Sequence, residues 1–372
     1  MIDMNSVNFV VKIRCAVASG LLFLTLCSGV ALAQDVLYKD AASFPLYGKA
    51  DETTFNRYER LPSSLKGRSR DAVWYLGRNS AGMAIRFRSN STSIRARWTS
   101  TFKNTMNHMT ETGVRGLDLY ILKDGNWQFA GAGRPLEKTT EAVLVADMDK
   151  EEREFMLYLP LYDGVDSLFI GVDKDAFLEQ PEVGSPSREK PVVMYGTSIL
   201  QGGCASRPGM AHTNIISRRL DREVINLGFS GNALLDYEIA ELMASVEDPG
   251  LFYLDYVPNA SAEQIDEKGE KFFRILRDRH PMVPVIFVED PEFPNSVFDN
   301  RIRAEVRKKN IAQRALFEKL KKAGEKRIYY ISSRGMGGYD GEATVDGLHF
   351  TDLGMVRYVD FVMPTIEKAL KK

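Results

Sequence analysis

Cysteine is nearly missing from this chain of 372 residues, which holds only Cys15, Cys27 and Cys204. The first two fall in an N-terminal stretch that reads as a targeting signal, so Cys204 is the one thiol in the body of the chain. A single cysteine excludes an internal disulfide framework and a zinc site built of thiolates. A reactive thiol is one reading of Cys204; a small buried residue beside the loop after Gly196 is the plainer one. Long apolar runs are missing past residue 30, so nothing there spans a membrane. Charge of one sign is missing too: 49 Lys and Arg stand against 50 Asp and Glu. With no basic tract and no zinc-finger spacing, nucleic acid is not an expected partner. There is no internal repeat and no low-complexity segment, and the length suits two domains, each with its own core.

The N-terminus carries a basic flank, Lys12 and Arg14, then an apolar, uncharged run from Cys15 to Val30, then Ala31-Leu32-Ala33. That order matches a signal peptide over residues 1–33 with a small-x-small cleavage site, and predicts a mature start at Gln34. An uncleaved anchor is the alternative, since the run is almost long enough to cross a bilayer. Leu26 before Cys27 speaks against a lipid-modified cysteine. Export to the periplasm or the medium follows, with no stable membrane insertion once the signal is removed.

Residues 34–175 read as a β-domain. Met83–Arg88 and Ile94–Trp98 alternate apolar and polar, and the polar Ser89-Asn90-Ser91-Thr92 between them predicts a hairpin. Leu117–Ile121, Phe155–Leu159 and Ser167–Val172 are further strand candidates. Short strands with Gly, Asn and Asp between them predict a β-sandwich or jelly roll. Trp74, Trp98 and Trp127 are possible sugar platforms, but packing is the commoner use of tryptophan. His108 and Asp118 can be drawn facing a site, and read more simply as structural. Residues 176–190, with Pro181, Gly184, Ser185, Pro186 and several charges, read as a linker.

Residues 191–372 alternate strand and helix. Apolar runs at Val192–Tyr195, Val224–Leu227, Leu251–Leu254, Val283–Val288 and Arg327–Ile331 are separated by stretches of helical period, and Ser261 is placed to cap one of them. The pattern predicts a doubly wound parallel sheet covered on both faces. Each strand end carries chemistry, where open α/β sheets bind their ligands. Gly196-Thr197-Ser198 follows the first strand, and Gly228-Phe229-Ser230-Gly231-Asn232 the second. Asn259 follows the third, and Asp346-Gly347-Leu348-His349 lies after the fifth. Asp three residues before His on one loop can fix the ring's tautomer, leaving its other nitrogen to take a proton from a serine. Backbone N–H groups at Gly231 or Gly228 and the Asn259 carboxamide can receive an oxyanion. Taken singly, each is ordinary turn or cap chemistry; together and in this order they make a site. Asp255 and Glu289, at strand ends, can be drawn lining the cleft, and read more simply as structural hydrogen-bonding groups.

Ser198, Gly231, Asn259 and His349 resemble the four landmark residues of the SGNH (GDSL-type) hydrolases, and Asp346 fits that family's Asp-x-x-His. The β-rich part joins in: Gly116-Leu117-Asp118-Leu119-Tyr120 is similar to the G-x-D-L-Y signature of an N-terminal domain found in one bacterial branch. The loops 201–209 and 226–232 look like that branch as well. Two positions depart from the pattern. Thr197 replaces the Asp of G-D-S-L, and Val257-Pro258-Asn259-Ala260 replaces G-x-N-D.

The resemblance implies a flavodoxin-like sheet and a serine esterase that needs no metal or cofactor. Ser198 would be the nucleophile, His349 the base and Asp346 its orienter, with Ser198, Gly231 and Asn259 forming the oxyanion hole. Export and the β-domain point to short-chain, acetyl esters on glycans. Lipase, lysophospholipase or thioesterase activity is the alternative, and a non-catalytic glycan-binding module is a further one. Arg207 is a candidate contact for an anionic substrate, beside the plainer reading of a structural ion pair.

Overall fold

The period-two runs of the first half build two antiparallel sheets in the computed structural model, which describes residues 35–371. Strands are numbered in chain order. One sheet holds β1 (Val36–Asp40), β4 (Ile94–Ser100), β7 (Thr139–Val145) and β9 (Val165–Asp173), in the order β1-β9-β4-β7. The other holds β2 (Leu46–Tyr47), β3 (Ala84–Ser89), β5 (Leu117–Lys123), β6 (Asn126–Gly133), β8 (Arg153–Tyr158) and β10 (Leu178–Glu179), in the order β10-β3-β8-β5-β6 with β2 also on β3. Ile85, Phe87, Leu119, Phe155 and Leu157 from one sheet meet Ala96, Trp98, Leu168 and Ile170 from the other in one core, a β-sandwich. Short helices α1 (Asp71–Gly77) and α2 (Glu111–Arg115) flank it. The signal segment lies outside the described residues. No helix among the described residues is long and apolar enough to cross a membrane.

The predicted hairpin is corrected. β3 pairs with β2, β8 and β10, whereas β4 pairs with β7 and β9, so the two strands lie in opposite layers. Alternation tells which face of a strand is buried and says nothing of its partner. The connecting loop is instead held at the end of β9, with the Thr92 N–H and hydroxyl donating to Asp173 at 2.8 and 2.7 Å. Arg86, on the polar side of β3, is nevertheless buried: it pairs with Glu154 at 2.8 Å and lies over the Trp127 ring.

Residues 176–190 are more tied down than a linker composition implies. β10 pairs with β3, and the Glu182 and Val183 N–H groups donate to Glu154 at 2.7 and 3.1 Å. The Trp127 indole donates to the Ser185 hydroxyl at 3.0 Å.

The second half is the doubly wound sheet. Its strands are β11 (Ser187–Gly196), β12 (Arg222–Gly228), β13 (Leu251–Asp255), β14 (Val285–Val288) and β15 (Ile328–Ile331). All are parallel, in the order β12-β11-β13-β14-β15, the flavodoxin-like arrangement. Its helices are α3 (Ser198–Gln201), α4 (His212–Leu220), α5 (Tyr237–Ser245), α6 (Ala262–Arg279), α7 (Asn300–Lys322) and α8 (Asp352–Leu370). Alternation along β11 sorts its side chains between two cores. Val193 and Tyr195 join α5, α6 and α7, while Val192 and Met194 join α4 and α8. Ser261 caps α6 in a reciprocal pair with Gln264.

The two halves share buried bonds within one compact unit. The fully buried Arg60 guanidinium donates to the carbonyls of Asn226 and Gly228 at 3.2 and 2.7 Å, and to those of Asn79 and Leu76 at 2.9 and 2.7 Å. The Gly48 N–H donates to Glu223 at 2.6 Å. Leu61, Leu65 and Val73 complete the core on the α5–α6 face.

Candidate active site

β11 runs out at Gly196, where a side chain would sit 2.7 Å from the Asp255 carbonyl of the adjoining strand. The turn that follows is capped by Thr197, whose hydroxyl accepts from the Ile199 N–H at 3.3 Å. Ser198 is then the first residue of a single helical turn, so its N–H has no carbonyl one turn back to bind. This is what Thr197 does in place of the expected Asp: it braces the turn as a cap.

Three bonds hold the turn from outside. The Tyr162 hydroxyl, from the β-rich half, donates to the Ser198 carbonyl at 3.1 Å. The Gln201 amide donates to the Leu161 carbonyl at 3.0 Å and accepts from the Ser230 N–H at 3.0 Å. Neither Tyr162 nor Gln201 stood out in the sequence; only Gln201 had a signal, its place within the loop similar to one hydrolase branch.

Ser198 and His349, 151 positions apart, meet with Oγ and Nε2 at 2.9 Å. The other ring nitrogen of His349, Nδ1, is 2.7 Å from Asp346 Oδ2. The second carboxylate oxygen of Asp346 accepts the backbone N–H groups of Leu348 and His349 at 3.0 and 2.8 Å. Gly347 makes this tight loop possible with φ of +87°. Burial would raise the Asp346 carboxyl, but the bonds from the His349 ring and the two N–H groups outweigh it and hold the carboxyl below the usual range. Asp346 is therefore ionised at neutral pH, and it fixes His349 with Nδ1 as donor and Nε2 as acceptor toward Ser198.

At the second strand end, Gly228 and Gly231 differ in their backbone bonds. The Gly228 N–H is bound to Asn226 Oδ1 at 2.9 Å and its carbonyl to Arg60. Gly231, with φ of +67°, makes no N–H bond among the described residues, and its Cα faces open space. Asn259 Oδ1 accepts from the Ala233 N–H at 3.2 Å, which leaves the Nδ2 donor for another acceptor. Val257, in the other departure, is packed in the core.

Arg207 is held in an ion pair: its guanidinium donates to Asp118 and to the Tyr120 hydroxyl, both at 2.7 Å, and lies 3.9 Å over the Phe129 ring. Asp118 and Tyr120 belong to the G-x-D-L-Y run, so that signature is an interdomain clasp. Burial pushes the Asp118 carboxyl up to about 6, with Arg207 and the Gly209 N–H opposing. Asp255 is buried against the Tyr358 hydroxyl at 2.7 Å, and Glu289 accepts from Arg314, Tyr330 and Ser333. Trp98 is core, Trp127 packs on Arg86, and Trp74 packs on the α/β core. His108 departs from its structural reading: its ring centroid lies 5.3 Å from that of His349. Cys204 is buried, and burial with the nearby Asp346 carboxylate pushes its thiol up to about 12.

A serine–imidazole–carboxylate chain at the carboxyl edge of a flavodoxin-like sheet defines the class as an SGNH-type esterase or acylhydrolase. Residues 189–367 match the model of the GDSL-like lipase/acylhydrolase family, and residues 36–178 match that of the GxDLY N-terminal domain of SGNH-hydro-type esterases. A solved GDSL-like lipase from Bacteroides ovatus is 39% identical, covers 91% of this chain and 98% of its own, and superposes with a TM-score of 0.87. This chain belongs to the GDSL-like lipase/acylhydrolase family. The fold alone is shared with a salicylyl-acyltransferase from a tetracycline biosynthetic pathway, at 15% identity over 91% of this chain and 99% of that one, TM-score 0.74. It is shared also with a family two carbohydrate esterase from Cellvibrio japonicus, at 12% identity over 91% of this chain and 98% of that one, TM-score 0.56. No curated protein sequence matches.

Proposed function

We propose that this protein is an exported serine esterase that removes short acyl groups, acetyl above all, from glycans by way of an acyl-enzyme. The observation that carries the reading is the unbroken chain Ser198 Oγ–His349–Asp346, at 2.9 and 2.7 Å. His349 Nε2 takes the Ser198 proton as Oγ attacks the ester carbonyl. The carbonyl oxygen becomes an oxyanion received by the N–H groups of Ser198 and Gly231 and by Asn259 Nδ2. Collapse expels the alcohol, which takes the proton from His349, and leaves the acyl group on Oγ. Water, deprotonated by His349, then releases the acid and restores the serine. The carbohydrate esterases sharing this two-part fold support the glycan side of the reading.

A second reading is favoured by a cavity of about 1200 Å³ beside α7, lined by Phe293, Val297, Phe298, Ile311, Met336 and Phe350. Phe350 follows His349 in sequence, and an apolar cavity of this size has room for the long acyl chain that a lipase or lysophospholipase binds. Rates on p-nitrophenyl acetate and octanoate decide between the two: the acetyl ester should be turned over faster, and a clear octanoyl preference transfers the protein to the lipase reading. Ser198→Ala should abolish hydrolysis with the fold intact, and an unchanged rate removes Ser198 from the mechanism.

A further inference from the structure

Three side chains with metal-binding atoms converge beside the nucleophile. His108, Cys204 and His349 each bring one donor atom within 4.8 Å of the others, and no other such group of three occurs among the described residues. They come from three separate parts of the chain: the loop after β4, the loop after α3, and the loop before α8. The sequence reading excluded a zinc site of thiolates; this cluster joins one sulfur to two imidazoles, a donor set that suits zinc.

The surroundings of the two rings also fit a metal. His108 Nδ1 lies 3.0 Å from Asn107 Oδ1, and His349 Nδ1 lies 2.7 Å from Asp346 Oδ2. An oxygen on one ring nitrogen fixes the ring and leaves the other free for a metal, the outer arrangement that metal-binding histidines use. Zinc takes nitrogen at about 2.0–2.1 Å and sulfur at about 2.3 Å, so the donors need to close by roughly 1 Å, within reach of ring and χ1 rotation. The Ser198 hydroxyl, 2.9 Å from His349 Nε2, or a water can supply the fourth position.

We propose that His108, Cys204 and His349 form a zinc site that switches the enzyme off. Binding replaces the thiol proton of Cys204, which leaves to solvent, by a sulfur–zinc bond, while the imidazoles contribute neutral lone pairs. The lone pair that His349 gives to zinc is the one that accepts the Ser198 proton, so bound metal and catalysis exclude each other. Binding itself stands on the cluster alone; the inhibition rests on the esterase reading.

The test uses the intact protein with zinc chloride, following p-nitrophenyl acetate hydrolysis. Hydrolysis should fall at least tenfold and return with EDTA. Cys204→Ala should keep its hydrolysis and need at least tenfold more zinc for the same loss; His108→Ala should also move the zinc midpoint upward. Binding is read separately with cobalt(II): the wild type and Ser198→Ala should both show a sulfur-to-cobalt charge-transfer band that Cys204→Ala lacks. A wild-type cobalt spectrum without that band overturns the site, as does equal zinc sensitivity in the wild type and Cys204→Ala. If the band is present but the wild type hydrolyses no ester, the esterase reading and the inhibition fall, and the metal site stands.

Discussion

The carboxylate of Asp118, on β5 of the sandwich, receives the guanidinium of Arg207, in the loop after the nucleophile turn, at 2.7 Å. The Gly209 N–H donates to the same oxygen at 2.7 Å. Replacing Asp118 with Ala takes the counter-charge from Arg207, which keeps only the Tyr120 hydroxyl, and the acceptor from the Gly209 N–H, in a mostly buried place. Asp118→Ala should cost about 3 kcal/mol in urea unfolding, and activity should drop with it because the 203–209 loop loses its anchor. Unchanged stability would mean that the pair is incidental.

Asp346→Asn should keep the fold and lower kcat by about 10³-fold with little change in KM. The amide can offer Nδ2–H to the ring and so favour the tautomer with its proton on Nε2, facing Ser198. A loss carried by KM instead would make Asp346 a substrate contact.

Asn259→Asp separates two roles. The carboxylate keeps an acceptor for the Ala233 N–H and removes the Nδ2 donor. The expected result is a fall in kcat of about 10²-fold or more at constant KM. Activity near wild type would take Asn259 out of the oxyanion hole.

Stability should carry a pH signature from Asp255. Burial raises its carboxyl to about 7, against the hydrogen bond from Tyr358. The folded state therefore holds this proton more tightly than the unfolded chain. Its contribution is present in full below about pH 4, the carboxyl's unfolded range, and is lost as pH rises toward 7. Asp255→Asn removes that loss, so the variant should gain on the wild type by a few kcal/mol between pH 4 and 8 in urea midpoints. Parallel pH profiles would refute the assignment. Asp118, raised to about 6 by burial, adds a slope common to both proteins, whereas the nearby Asp290 also helps to raise Asp255.

Much of this molecule was legible in the sequence because the α/β half announces itself twice. Its short apolar runs give the strands, and the Ser, Gly, Asn and His residues at their ends give the candidate site. Ser198 and His349 could be paired across 151 positions because a parallel sheet brings all its carboxyl ends to one edge. The β-rich half was less legible. Alternation placed β3, β4, β5, β8 and β9 and left β1, β2, β6, β7 and β10 unread; pairing is decided by layers, and β3 and β4 went to different ones. Tyr162 was invisible because its part in the site is one hydroxyl on one carbonyl. His108 sits in a stretch with no period to read, which left its place beside His349 the weaker of two readings.

The Arg60 guanidinium ends on the carbonyls of Asn226 and Gly228, inside the other half. Cutting the gene at residue 187 would expose those oxygens and strip the wall from the α5–α6 core. The catalytic half cannot be lent to a new partner domain on its own: recombination that moves this esterase must carry the sandwich with it, and a free second half should collect in inclusion bodies.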